Sequence, residues 1–296
     1  MSGLWARIRA AKEGVVYAPA GTLLTVNGTG VPDPFGPGFP ADLARALADA
    51  AEGMWNWQPV GYPAATFPMG PSVRAGRAEL CAQIERHAGP VALSGYSQGA
   101  LIVDTVWRDD ILSAGGGLHH RLADVVAIVN YGDPMRCPGI ANGNAFAGRP
   151  LPRDVNGFVS GGIAGPGNLT PDQTPDFFLS FANDGDLYAC APTGVDPWND
   201  ETEVGHNERI IFDVVQDATI TSVLAIATEV AEILAEPFEQ VVPLVQAVAN
   251  GAFFLGAGVG GPHARYDIAP AVRFLTEVGA DLRVRALLDA EMAPVL

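Results

Sequence analysis

Cationic side chains are scarce in this chain. Lys and Arg together number 17 against 33 Asp and Glu, giving a formal net charge of −16. Phosphate binding needs clustered cations, so a nucleic-acid partner is excluded, and adsorption to an anionic membrane is disfavoured as well. A neutral lipid, ester or glycan remains compatible with such a surface. Cysteine is equally sparse. Cys81, Cys137 and Cys190 leave one thiol unpaired in any arrangement, which argues against a disulfide framework, and they lack zinc-ligand spacing. They read as small hydrophobes of a protein made in a reducing cytosol. Long apolar runs are missing too: Ala247–Gly258 is too short to span a bilayer and is interrupted by Asn250. Arg7, Arg9 and Lys12 near the start are followed by no apolar segment, so no secretory signal is visible.

What is present is an ample core. With 296 residues, 48% of them hydrophobic, the chain predicts one large domain or a domain carrying an insertion. Short apolar runs alternate with longer amphipathic ones, the pattern of a parallel sheet flanked by helices. Strands are expected at Thr22–Val26, Val91–Ser94, Val125–Asn130 and Phe177–Phe181, and helices at Ala41–Ala51, Ser72–His87, Ala100–Ser113 and Ala269–Leu288. Residues 137–175, rich in Gly, Pro and Asn, predict an irregular surface excursion. From about Asn207 to Gly256 Ala, Val, Ile and Leu recur at helical spacing, which predicts two or three inserted helices. The expected layout is an N-terminal extension (1–21), a core (22–206), a helical insert (207–256), and a core segment with the last helix (257–296).

The densest chemical signal is Val91-Ala-Leu-Ser-Gly95-Tyr96-Ser97-Gln98-Gly99. A strand stops at Gly95 and a helix opens at Gly99. This is the Gly-x-Ser-x-Gly nucleophile elbow of an α/β-hydrolase. A sharp turn would hold Ser97 in a strained conformation and set the Gln98 amide at a helix N-terminus, free to stabilise an oxyanion. With 35 glycines the pattern also arises by chance, but the preceding strand and following helix favour the elbow.

A serine nucleophile needs a base and an acid, in this fold in the order Ser, Asp or Glu, His. His87 precedes the serine. His119 and His120 follow a glycine run and read as exposed helix-entry residues. His263, in Gly260-Gly261-Pro262-His263 before the last helix, and His206 remain as candidates. For the acid, Asp186 and Asp184 follow the strand Phe177–Phe181. Asp133 follows Val125–Asn130 and has Pro134 beside it, which suits a turn former. Asn27-Gly28-Thr29-Gly30 leaves the first strand, so the Gly28 and Thr29 amides are candidates for the second oxyanion donor.

These pieces resemble the lysin B family of bacteriophages that infect mycolic-acid-containing bacteria, α/β-hydrolases related to cutinases. The resemblance runs from about residue 22 to 275. It rests on Asn27-Gly28-Thr29-Gly30, Pro32-Asp33-Pro34 with Gly36-Pro37-Gly38, Trp57-Gln58-Pro59, Tyr62-Pro63-Ala64-Ala65, the elbow, Asp133-Pro134-Met135-Arg136, Asp184-Gly185-Asp186, and Pro262-His263 with Tyr266. It implies an esterase acting on the bond between mycolic acids and arabinogalactan, with Ser97, Asp186 and His263 as triad and a helical subdomain between acid and base. That placement selects His263 over His206 and Asp186 over Asp133. It further implies synthesis in the host cytoplasm, action at the envelope during lysis after passage through a lesion made by other lysis proteins, no cofactor and no stable membrane insertion. A monomer is expected.

The chain departs from the family at three points. Asn27 stands where members often have His. The disulfide that braces the acid in secreted cutinases would fall at Ala182 and Ala189, and Cys190 is one residue off. The residues before the first strand are too few for a peptidoglycan-binding module. A general lipase or cutinase, and a non-catalytic glycan-binding protein on the same fold, are the competing readings.

Overall fold

The computed structural model describes residues 18–66, 69–154, 157–217, 223–234 and 261–292. Five parallel strands form the centre: β1 (Gly21–Val26), β2 (Trp55–Pro59), β3 (Val91–Tyr96), β4 (Val125–Tyr131) and β6 (Phe178–Phe181), in the order β2-β1-β3-β4-β6. A two-stranded ribbon pairs β5 (Ser160–Gly161) with β7 (Ala191–Pro192). The inner strands are apolar at nearly every position because both faces of the sheet are covered. Alternation splits them between two layers. Leu24, Val26 and Leu93 face α2 (Met69–Arg86) and α3 (Gln98–Thr105), while Leu23, Ala92, Ala127 and Val129 face α1 (Phe39–Ala50) and α7 (Ala269–Met292). Each such leucine removed from water contributes about 2 kcal/mol.

The strand order positions the site. From β1 the chain crosses to β2 on one side, whereas β3 lies on the other. The loops leaving the C-terminal ends of β1 and β3 therefore diverge, and ligands of open parallel sheets bind in that crevice. Val26 pairs with Gly95, so both loops start at one level.

The structure departs from the sequence expectations at identifiable places. β2 was not expected: its Asn and Gln break the apolar run, and as an edge strand it is only half-buried throughout. Its tryptophans are fastened by their indole N–H groups, Trp55 to the Leu275 carbonyl (3.0 Å) and Trp57 to the Thr25 hydroxyl (2.8 Å). The helix after the elbow starts at Gln98 and becomes a π-helical turn over Val106–Leu112. That widening seats Val106, Trp107 and Ile111 in the core, with the Trp107 indole donating to the Gln173 carbonyl (2.8 Å).

Helix α5 (Glu203–Asp217) begins before residue 207, so the expected boundary between core and insert falls inside a helix. It is followed by α6 (Val223–Leu234). The rest of the expected insert, including Ala247–Gly258, and the first 17 residues lie outside the described residues. The 137–175 excursion is mostly irregular, with a short helix α4 (Asn142–Phe146), β5 and brief 3₁₀ turns. All three cysteines are free. Among the described residues no helix is long and apolar enough to cross a membrane.

Candidate active site

Ser97 sits between the end of β3 and the first turn of α3 with φ 55° and ψ −119°. Among the described residues only Ala64 shares a positive φ without being glycine. Such a conformation costs about 1–3 kcal/mol and persists only where the surroundings enforce it. Here the Ser97 N–H donates to the Tyr131 carbonyl (3.0 Å) and its own carbonyl accepts the Leu101 N–H (3.0 Å). Gly99 lets the turn close on β1: a Cβ there would stand 2.6 Å from the Asn27 carbonyl oxygen and closer still to that of Val26. Elbow and first loop are thus in direct backbone contact. The Gln98 side chain is an anchor, accepting from the Ser72 hydroxyl (3.1 Å) and donating to the Ala65 carbonyl (3.0 Å). Its amide, at the first position of α3, has no acceptor within the helix.

The Asn27-Gly28-Thr29-Gly30 loop lies beside the elbow, pinned by the Tyr62 hydroxyl on the Asn27 carbonyl (2.7 Å) and by the Gly30 amide on the Ala64 carbonyl (2.8 Å). Gly28 is buried and Thr29 half-buried. Asn27 turns inward. Its buried carboxamide spreads long contacts of 3.4–3.5 Å over the carbonyls of Asp33, Pro34 and Gly36. Asn27 therefore shapes the neighbouring 33–36 loop.

The structure brings Asp186 and His263 together. His263 Nδ1 lies 2.9 Å from each carboxylate oxygen of Asp186, with both side chains almost fully buried. The carboxylate also accepts the Tyr188 amide (3.0 Å) and the Tyr266 hydroxyl. Burial works to raise the Asp186 carboxyl. The charge and hydrogen bond of His263, the Tyr266 hydroxyl and the Tyr188 amide outweigh burial and hold it below the usual carboxylate value. An ionised carboxylate only accepts, so Nδ1 carries the proton and Nε2 is left as the basic nitrogen.

His263 is boxed in. The Tyr96 and Tyr188 rings lie on it at centroid distances of 5.0 and 5.2 Å, and the Tyr96 hydroxyl donates to the His263 carbonyl (3.0 Å). Gly132, at φ +54°, borders the imidazole: a Cβ there would come within 2.5 Å of Cε1. The acid loop holds the histidine loop through the Asn183 amide, which donates to the carbonyls of Pro262 (2.8 Å) and Arg265 (3.1 Å).

The other candidates lie elsewhere. His206, half-exposed on α5, has its Nδ1 3.0 Å from Glu201 just before that helix and shares the carboxylate with Arg209. Asp184 accepts the Arg153 amide (2.9 Å) in a surface turn. Asp133 is fully buried and accepts the Met135 amide (2.8 Å) and the Ser180 hydroxyl (2.9 Å), which makes it a turn former under the elbow. Beside it, Asp104 accepts from the Asn130 amide (2.6 Å), and Asn130 in turn accepts the Gly95 N–H (3.0 Å). Burial, then the charge of Asp133, push the Asp104 carboxyl well above its ordinary value. Sequence reasoning missed the aromatic box, Gly132, and the hydroxyl of Tyr266 on the acid. The available hint was spacing, with Tyr96 beside the serine and Tyr266 three residues after the histidine.

No family model matches the chain. It is 34% identical over 266 residues to Endolysin B of Mycobacterium phage L5, spanning 86% of this chain and 98% of that protein. It is 35% identical over 267 residues to Endolysin B of Mycobacterium phage D29, with the same coverage of both chains. Among solved structures, the crystal structure of lysin B from Mycobacteriophage D29 superposes with a TM-score of 0.67 at 34% identity, over 88% of this chain and 100% of that one. The parallel sheet between two helical layers is accordingly an α/β-hydrolase fold.

Proposed function

Since the chain belongs to the lysin B family of mycobacteriophage endolysins, we propose that it is a serine esterase that cleaves the ester between mycolic acids and arabinogalactan during host lysis. Ser97 Oγ attacks the ester carbonyl while His263 Nε2 takes its proton, and Asp186 holds the imidazole in the tautomer that makes this possible. The Gln98 amide and an amide of the Gly28–Thr29 turn receive the oxyanion. Collapse returns the proton from His263 to the departing sugar oxygen and leaves an acyl-serine. Water deprotonated by His263 then attacks the acyl-serine, and His263 returns that proton to Ser97 Oγ as the fatty acid leaves. Each oxyanion donor lowers the barrier by about 3–4 kcal/mol.

The observation that carries this reading is the buried Asp186–His263 pair, which shares the C-terminal edge of the sheet with a strained serine at an elbow. A fluorophosphonate probe is expected to label the wild type at Ser97. Ser97→Ala is expected to lose both labelling and p-nitrophenyl ester hydrolysis with an unchanged melting temperature. Turnover that survives that substitution would sink the assignment. The substrate is tested by comparing mycolic acid released from a purified cell-wall complex with hydrolysis of triolein. Preference for triolein would make the enzyme a general lipase.

A further inference from the structure

We propose that Tyr266 is a positioning residue for acyl transfer, acting through Asp186, and that the phenol sets both the orientation and the basicity of the acid. The inference rests on the Ser97–His263–Asp186 reading. The Asp186 carboxylate is 1% exposed, so protein donors must replace its water shell. Oδ1 takes the Tyr188 amide, Nδ1 of His263 lies between the two oxygens, and Oδ2 takes the Tyr266 hydroxyl. Without the phenol, Oδ2 keeps only its share of the imidazole N–H, and the carboxylate plane loses one of its three attachments.

The phenol is built into this place. Its ring lies against Phe39 (centroids 5.4 Å apart, edge-on) and Tyr131 (5.7 Å) in the layer under α1 and α7. Burial first, then the charge of Asp186, push its hydroxyl well above the ordinary phenol range, so it remains a donor across the working pH. It follows His263 by three residues, so one loop delivers both the base and the clamp on the acid. The titratable groups around the pair are Tyr96, Tyr188 and Tyr266. The buried Arg136 stands behind the acid loop, donating to the Ala189 carbonyl (2.6 Å), and its charge is felt at Tyr266.

Hydrogen-bond donation draws negative charge from the carboxylate. A carboxylate without it stabilises the imidazolium more strongly, so the acidic limb of kcat/KM moves to higher pH. A residue that only fills space would not move that limb. Tyr266→Phe keeps the ring and removes one oxygen. With p-nitrophenyl butyrate, the expected result is a KM within about twofold of wild type and a kcat lowered about tenfold. The acidic limb is expected about half a pH unit higher, a roughly threefold change in the proton-binding constant.

Site-specific 3-fluorotyrosine at 266 donates more strongly and is expected to move the limb the opposite way. It carries the test by itself if the Phe variant does not fold. Wild-type kcat and an unmoved limb in the Phe variant, or no shift with fluorotyrosine, overturn the proposal. Fluorophosphonate labelling of Ser97 separates the two levels: failure to label the wild type defeats the triad reading, whereas labelling with unmoved limbs defeats only the role of Tyr266.

Discussion

Asp186 and Asp104 are both buried carboxyls, and their surroundings drive them in opposite directions. Asp186 faces donors and a histidine, which hold it ionised. Asp104 is fully buried beside the Asp133 carboxylate, and burial and that charge outweigh the Asn130 amide and favour its protonated form. The sign for stability follows from linkage. A carboxyl raised in the folded state contributes stability that is full below the ordinary carboxylate range and is lost as pH rises toward the folded value. Asp104→Asn presents a neutral donor and acceptor at every pH. Its melting temperature is expected to exceed wild type by about 2–4 °C at pH 8, with the gap closing toward pH 4. Melts at both pH values check this, and a lower melting temperature at pH 8 contradicts it. At this scale chain order and the elbow narrowed the candidates to Ser97, three aspartates and two histidines, and the resemblance chose Asp186 and His263, which the fold places 2.9 Å apart. The contacts of Tyr266 and Asn27 were not legible, although the sequence singled out both residues, because what a side chain holds is set by the fold.

Among elements, the junction of β1, β3 and α3 shapes the proposed oxyanion site. Gly99 lies where α3 crosses the carbonyls of Val26 and Asn27, and those atoms belong to backbone that cannot turn aside. Gly99→Ala is therefore expected to push α3 off the first loop, destabilise the protein by about 1–3 kcal/mol as overpacking does, and lower kcat more than 10-fold. Urea unfolding and steady-state kinetics measure the two effects, and wild-type activity would show that the elbow does not need this contact. The inner strands were readable from continuous apolar runs, since both their faces are buried. β2 was not, because its tryptophans are amphipathic and it lies at an edge. The π-helical turn was illegible for another reason: it answers the packing of Trp107 against the 171–173 turn, a contact 66 residues away.

For the whole molecule, charge is the dominant long-range property. A net charge of −16 repels an anionic surface over a distance that salt shortens, from about 30 Å at 10 mM to 8 Å at physiological strength. Ester hydrolysis in vesicles rich in anionic lipid is expected to rise several-fold between about 10 and 150 mM NaCl. In zwitterionic vesicles it is expected to change less than about twofold. Equal salt responses on both surfaces would mean that the site presents a local field unlike that of the whole chain.

The five-stranded sheet ends at Phe181 and Asp186 follows at once, but the imidazole arrives only at position 263, ahead of α7. Chain order thus becomes timing. At ribosomal speeds of about 5–20 residues per second, roughly 4–16 s separate synthesis of the last strand from that of the base. Until α7 is made, one face of the sheet lacks a helix that covers it, and the proposed base is absent. On the proposed mechanism, a chain that ends before residue 263 is therefore expected to be inert.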